Sequence, residues 1–588
     1  MNQAQFDVLY MLYRQQGLTQ RELSSELDVS LGFINKNIKS LRDLNFIDCE
    51  NHITQNGFEE LDKYKVDNAI ILAAGMSTRF VPVSYEFPKG LTIVKGEVLI
   101  ERQIKQLLDS GIKEIVVVVG HMLEKFFYLK EKYNVKLVVN NDYKVKNTHS
   151  SVFAARDFLK RTYICCSDNY YPENLFKSHE YHSMYCAQFL EGESRTERGL
   201  ITDKNGLIIA TEKPCKDAWT MQGHAYLDSS FSKQFKKILE DYYNKPGTEN
   251  LYWEGIYAEN LEKLPMYMVK CKATDILEFD SVENLREFDP DYIANNDLQV
   301  VKNICSTLNC LPNQISDISP IGKGMTNKSF SFKVKDIRYV YREPGKNTVG
   351  YINRGREKFA LTAARKLGLD KSYLYEDEKK GWKISYYIDA TEEFDFSNRK
   401  HFEKLCRHLN SLHNAKIKSG SEFDYFAEAD KLIERIRLLD FVAAEELELL
   451  REKISTVNDR VTSDNWPVVL CHNDIYEPNL LISEDDLYLI DWEYAGDADI
   501  GYDICKLFAV TDAPLDKVDD LLGVYFERKP DISEKRHIIG CAAVNYYYWY
   551  VWSIYQNRSG NNCNEWQMLW YNKMNKYFDE TIRLMGEE

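Results

Sequence analysis

Two short apolar segments, each running straight into a loop rich in small and polar residues, lie about four hundred residues apart in this chain. The first, Ala69-Ile70-Ile71-Leu72, continues into Ala73-Ala74-Gly75-Met76-Ser77-Thr78-Arg79. The second, Val468-Val469-Leu470-Cys471, continues into His472-Asn473-Asp474. A strand that ends in such a loop offers backbone N–H groups and side chains at the carboxyl edge of a sheet, where phosphates bind. At 588 residues the chain is too long for one hydrophobic core, and two or three domains are expected. The two loops are therefore read as separate sites.

Composition narrows the partners. A formal net charge of −16 gives no global attraction to nucleic acid or to an anionic membrane. Thirteen cysteines without a CxxC pair, and an N-terminus without a charged-then-apolar layout, lead us to expect reduced thiols and a cytoplasmic protein. The most apolar late stretch, Cys541 to Tyr555, is too short to span a bilayer and reads as a buried helix or a pocket wall.

Residues 1–65 carry helical periodicity and then a short hairpin. Thr19, with Glu22 three residues on, is a plausible N-cap. A second helix is expected from Leu31 to Leu44, with Ile34, Ile38 and Leu41 on one face and Asn35, Lys36, Lys39 and Arg42 on the other. Phe46 to Cys49 can pair with His52 to Thr54. This module resembles a winged helix-turn-helix, whose second helix would enter a DNA major groove. Seven Lys/Arg against ten Asp/Glu over residues 1–65 is poor equipment for neutralising phosphates, so a packing or dimerisation module stays open beside a DNA-binding one.

From residue 66 the pattern becomes strand and helix in alternation. Further strands are expected at Ile115–Val119, Leu137–Val139 and Tyr163–Cys166, and a helix over Leu99–Ser110, which argues for a parallel α/β sheet. Pro88-Lys89 lies ten residues beyond Arg79, and the strand Tyr163–Cys166 ends in Ser167-Asp168. With Asn141-Asp142-Tyr143, Asn147 and Ser150, then Tyr252-Trp253-Glu254 and Ile276–Asp280, residues 66–290 resemble the nucleotide-sugar pyrophosphorylase superfamily, and most closely its bacterial phosphocholine cytidylyltransferase branch. That resemblance implies a Rossmann-like domain. In it Leu72, Ala73, Ala74, Gly75, Met76, Ser77, Thr78, Asn147 and Ser150 would bind CTP, and Arg79 and Lys89 would offset charge on the α-phosphate. Asp168 and Asp280 would hold Mg²⁺, with Glu278 a near neighbour able to replace Asp280. Trp253 and Glu254 would meet a quaternary ammonium, although Trp253 can equally be core and the family often has aspartate where Glu254 stands. CTP and UTP are not distinguished.

The third region is expected over residues 298–588, after the charged stretch Glu287–Asp297. Ile321 to Ser329 is a loop between strand-like segments without the ending of a P-loop, so it reads as a cover for nucleotide phosphates. Arg338–Tyr341 delivers Arg342, and Glu357 on a following helix can pair with it. Asp474 stands where a kinase catalytic loop places its base. Asn479, five residues on, stands at a metal ligand's place, and the strand Leu487–Ile490 ends at Asp491, a second ligand. This ordered set, with Tyr341–Thr348 and Ile352-Asn353-Arg354, resembles the choline/ethanolamine kinase family within the aminoglycoside-phosphotransferase-like group. The resemblance implies a bilobal protein-kinase-like fold in which Gly324, Thr326, Asn327, Arg342 and Glu357 attend ATP and Mg²⁺. Asp503 would brace the catalytic loop. Glu493, Trp549 and Trp552 would receive choline, although an aromatic helix is more often core.

Together the resemblances imply a multidomain α/β and α+β enzyme that phosphorylates choline with ATP and then joins phosphocholine to CTP, giving CDP-choline for cell-surface glycans. The same two chemistries on ethanolamine or another amino alcohol or phosphonate form the first alternative. A DNA-binding metabolite sensor is the second. Oligomeric state is not legible.

Overall fold

The computed structural model describes residues 1–279, 281–322, 327–345 and 352–587, and the chain divides into two compact units, Met1–Asn313 and Gln314–Glu588. The first unit opens with a helix, Gln3–Arg14, whose capping box joins Asn2 and Gln5. The two expected helices follow as Gln20–Glu26, with Thr19 and Glu22 forming its capping box, and Leu31–Asp43, capped by Ser30. Ile34, Ile38 and Leu41 are buried, while Asn35, Lys36, Lys39 and Arg42 lie on the exposed face. The expected hairpin is reduced to one bridge, Ile47 to Ile53, because the Asp48 carboxylate takes the amides of Glu50 and His52 and tightens the turn. Arg42 donates to the carbonyls of Asp48 and Cys49 and to Asn51, so one cation of the expected basic face is spent on holding the wing.

This module is packed into the first unit. Tyr181 lies 5.5 Å from the Phe6 ring and 5.3 Å from the Tyr64 ring, and its hydroxyl donates to the Met1 carbonyl. Arg161 donates to the carbonyls of Asp62 and Lys63 and pairs with Asp67, tying the last turn of the module to the edge of the next sheet.

The main sheet of this unit has nine strands. Its parallel part runs in the order Lys136–Val139, Glu114–Val119, Asn68–Ala73, Thr162–Cys166, so the strands read from sequence all form. Asn68–Ala73 is buried along its whole length, and its side chains alternate between two cores. Ala69, Ile71 and Ala73 pack with Ile100, Ile104 and Leu107 of the helix Leu99–Asp109. Ile70 and Leu72 pack with Val152 and with Phe231 and Phe235 on the opposite face. Burial on both faces is what makes such strands read as continuous apolar runs. Cys215–Leu227 adds antiparallel to Thr162–Cys166 and carries the remaining strands.

The stretch Glu287–Asp297, expected as a boundary, lies inside the first unit. Asp289 accepts from the Lys95 amide, Asn296 brackets Ile93, and Glu86 accepts from the first two amides of the helix Gln299–Leu308. A carboxylate at a helix N-terminus meets both orphan donors and dipole, and this carries the unit on to Asn313.

The second unit begins with a five-stranded antiparallel sheet in the order Ile315–Ile321, Lys328–Val334, Ile337–Glu343, Lys383–Tyr386, Tyr373–Glu376. Against it lies the helix Arg354–Leu367. The pair Val468–Cys471 and Gly496–Asp499 and the hairpin of Leu480–Ser483 with Asp486–Leu489 follow within a helical part. Its central helix, Ile532–Arg558, has 27 residues and is buried on nearly every side among Tyr425–Leu439, Phe441–Ser463 and Asn564–Met585. Among the described residues no helix is long and apolar enough to cross a membrane.

Candidate active sites

In the first unit, Glu114–Val119 and Thr162–Cys166 flank Asn68–Ala73 on opposite sides, and the carboxyl ends of such strands open a crevice at the switch in order. A cavity of about 440 Å³ lies there, lined among others by Gly75, Met76, Ser77, Thr78, Arg79, Lys89, Asn147 and Asp168. Leu72, Ala73 and Ala74 are buried and lead the backbone up to it. The Lys89 ammonium is 3.2 Å from the Asp168 carboxylate and donates to the Phe279 carbonyl. Gly90 makes this possible: a Cβ there would stand 2.9 Å from the Ser167 Cβ and 3.1 Å from its carbonyl oxygen, pushing Lys89 off Asp168. Asp280 lies outside the described residues. Glu278, its near neighbour in sequence, lines the cavity on a strand paired with Asn169–Tyr170.

Asn147 caps the helix Thr148–Ala154, and Ser150, 1% exposed, gives its hydroxyl to the Asn147 carbonyl and accepts from Asn140. Ser150 thus shapes the wall through Asn147 instead of facing the cavity. Trp253 is 2% exposed and packs with Tyr185 and Phe235, so it is core. Glu254 is different. One carboxylate oxygen accepts from Tyr185, the other is buried with no hydrogen-bond partner among the described residues, and burial pushes its pKa up to about 7. Asp168, Glu254 and Glu278 all raise the neighbouring Cys166 thiol after burial itself, which groups three carboxylates around the end of one strand. Lys144 and Lys146 also line the cavity, and sequence reading passed over them although it singled out the segment they occupy.

In the second unit the loop His472-Asn473-Asp474 hangs from one carboxylate. Asp503, fully buried, accepts from the amides of His472 and Asn473, each at 2.8 Å, and faces His413 at 3.2 Å. His472 is fixed between the Ile490 carbonyl and the Asp474 amide, and Asn473 holds a positive φ of 69°. Asn479 donates to both the carbonyl and the carboxylate of Asp474. Burial, with Asp491 and Glu493 adding to it, raises Asp474 to about 7 against the opposing pull of Lys506 and Asn479. A carboxylate so tuned is poised to take a proton near neutrality.

Arg342 bonds Glu357, as the strand and helix positions implied, and it also stands 2.9 Å from Asp491. Burial opposes the Glu357 charge, yet Arg342, Lys383 and Arg354 outweigh it and hold the carboxyl at about 2. Glu493 departs from expectation. Its carboxylate accepts from Asn327 and lies 3.5 Å from Arg342 and 3.7 Å from Arg354, so it belongs to this cationic network and not to an ammonium pocket. Gly324 and Thr326 lie outside the described residues. Trp549 and Trp552 are both buried in the core and both pack on Trp570, and Trp549 also meets Tyr494 edge-on. Lys383, register partner of Arg342, stands 3.8 Å from Asp491 and had no local sequence signal. Carboxylate and amide oxygens at Asn479 and Asp491, and carboxylates at Asp168 and Glu278, are hard donors that fit Mg²⁺.

Comparison with known proteins follows this division. Residues 69–168 match the MobA-like NTP transferase domain, residues 318–517 the choline/ethanolamine kinase family, and residues 1–52 the MarR family. The chain is 34% identical over 230 residues to the 2-aminoethylphosphonate cytidylyltransferase of Lancefieldella rimae, covering 38% of this chain and 93% of that protein. It is 31% identical over 221 residues to the choline-phosphate cytidylyltransferase of Streptococcus pneumoniae, covering 38% of this chain and 96% of that protein. Protein LicA of Haemophilus influenzae is 25% identical over 276 residues, covering 45% of this chain and 99% of that protein. The chain therefore belongs to the cytidylyltransferase family of the first two relatives, and it is a bifunctional transferase with a MarR-like N-terminal module and a choline/ethanolamine-kinase domain.

Proposed function

We propose that the second unit phosphorylates choline with ATP and that the first unit joins the phosphocholine to CTP, releasing pyrophosphate and CDP-choline, in the cytoplasm where both nucleotides are supplied. The observation that carries this reading is the contrast between the sites. Asp474 is a raised carboxylate held at the end of a braced loop, suited to an alcohol that must lose its proton. The other site's cavity offers Arg79, Lys89 and Lys144 to phosphate, with Lys146 on its wall held by the Tyr243 carbonyl. A phosphomonoester has its second pKa near about 6 and attacks without a base; it needs cations to offset repulsion.

In the kinase, Asp474 accepts the hydroxyl proton of choline, while Arg342, set by Glu357, stands by the phosphates of ATP. Asn479 and Asp491 would hold Mg²⁺, which when bound neutralises phosphate charge. In the cytidylyltransferase, Lys89 and Arg79 face the α-phosphate, Asp168 with Glu278 or Asp280 would hold Mg²⁺, and Glu254 meets the substrate ammonium. The name of the 34%-identical relative supports a second reading, in which the same chemistry acts on ethanolamine or an aminoalkyl phosphonate. For the N-terminal module the proposed partner is duplex DNA, supported by the MarR-family match and by the exposed Lys36 and Lys39.

Incubation with choline, ATP, CTP and Mg²⁺, followed by mass, should yield CDP-choline, and Lys89→Ala should accumulate phosphocholine. Turnover of ethanolamine in place of choline, or of 2-aminoethylphosphonate with CTP in place of phosphocholine, would select the second reading. Glu254 is neutral below about 7 and charged above it, and a cation needs the charged form. The KM for phosphocholine should therefore fall as pH rises from 6 to 8, and this fall should shrink in Glu254→Gln to what the phosphate's own ionisation causes; equal profiles would remove Glu254 from the site. The doubly substituted Lys36→Glu, Lys39→Glu protein should lose any gel-shift of the gene's upstream DNA that the wild type gives, and absence of a wild-type shift would remove DNA as the partner.

A further inference from the structure

Asp464, Asp499, His537 and Cys541 form a cluster in the second unit that the mechanism above does not use. His537 and Cys541 stand four residues apart on the helix Ile532–Arg558, which places them on one face. Both are buried. Asp499 ends the strand Gly496–Asp499, and each of its carboxylate oxygens lies 3.2 Å from His537 Nε2. The Cys541 sulfur lies 3.5 Å from the same nitrogen. The three residues each offer a donor atom, all within 4.8 Å of one another.

Two further features point to a cation among these donors. Gly501 faces them: a Cβ there would stand 2.7 Å from the Cys541 sulfur, 3.0 Å from Asp499 Oδ1 and 3.1 Å from His537 Nε2, so only glycine leaves the space between them open. The Gly501 amide also aims Asp499, donating to Oδ1 at 2.8 Å. The far nitrogen of His537, Nδ1, lies 2.9 Å from Asp464, which is held in turn by Arg536 at 2.8 Å. A carboxylate on that far nitrogen fixes the tautomer that presents Nε2 as a lone pair. Trp466 stacks on the ring at 4.1 Å and covers its face. The neighbouring triplet His413, Cys471 and Asp503 lacks this arrangement: the Asp503 oxygens take the amides of His472 and Asn473, and the far nitrogen of His413 meets the Tyr525 hydroxyl.

We propose that Asp499, His537 and Cys541 bind a divalent transition-metal ion of the zinc class, with Asp464 orienting His537 from behind. Zinc bonds of about 2.0–2.3 Å at tetrahedral angles separate their donors by roughly 3.3–3.6 Å, close to the separations around His537 Nε2. Carboxylate and thiolate balance the two charges of the ion, and Cys541 gives its thiol proton to solvent as the sulfur–metal bond forms. Solvent supplies the fourth ligand. Sulfur and imidazole select zinc over the Mg²⁺ that suits the hard donors of Asn479 and Asp491. Asp499 lies four residues before Asp503, so the ion ties the turn that leads to the loop's brace onto the central helix. It acts on stability whichever amino alcohol the kinase takes.

The test titrates the chelator-treated full chain with Co²⁺ in excess Mg²⁺, because thiolate ligation of Co²⁺ gives a charge-transfer band in the near-ultraviolet. The wild type should show the band, lose it to added Zn²⁺, and unfold at a higher temperature with Zn²⁺ than without. Cys541→Ser should show neither the band nor the zinc-dependent rise while still binding ATP. Asp464→Asn, which keeps every ligand, should weaken Co²⁺ binding by about 10- to 100-fold. Absence of the band in the wild type, or a band of equal strength in Cys541→Ser, would overturn the proposal. If Cys541→Ser fails to fold, Asp464→Asn decides, and a Co²⁺ affinity equal to that of the wild type would overturn it.

Discussion

An alcohol hydroxyl must give up a proton as it attacks phosphorus, whereas a phosphomonoester arrives largely ionised. That difference in the attacking oxygen governs what each unit has to build. The second unit surrounds a carboxylate with enough burial to raise it to about 7, then fixes it by Asn479 and by a loop whose two amides both point at Asp503. The first unit brings lysines and Arg79 to the carboxyl ends of parallel strands and holds Lys89 against Asp168.

Each candidate site rests on a buried element beneath it. Asp503 is fully buried and charged, and its charge is held by His413 and by the loop amides. Removing it would leave two backbone donors unsatisfied beside Asp474, a loss larger than one hydrogen bond. Gly90 does comparable service in the first unit, where close approach to Ser167 sets the distance between Lys89 and Asp168. Asp474 and Asp168 follow the ends of strands, whereas Lys89 opens the short turn Lys89–Leu91, and rigidity comes from packing beneath them.

Sequence reading located the strand ends well, because strands buried on both faces announce themselves as apolar runs and their loops carry the polar residues. Thr19 marked a helix start for a local reason, the cap. Long-range register was not legible. Lys383 meets Asp491 only because its strand pairs with that of Arg342. Glu493 lies two residues beyond Asp491, whose positive φ of 64° turns the chain, and the carboxylate ends among arginines instead of aromatic rings. The tryptophans of Ile532–Arg558 share one helix face by spacing, but only packing decides that both are core. The end of the first unit was missed because Glu86, some two hundred residues earlier, caps the helix Gln299–Leu308.

The division into a base-requiring and a base-free site is tested most directly by Asp474→Asn, assayed separately for ATP-dependent phosphorylation of choline and for CDP-choline formation from supplied phosphocholine and CTP. The account predicts that phosphorylation falls by about 10²- to 10⁴-fold while cytidylyl transfer proceeds at the wild-type rate. A parallel fall in both rates, or a kinase that survives the loss of its carboxylate, would contradict it.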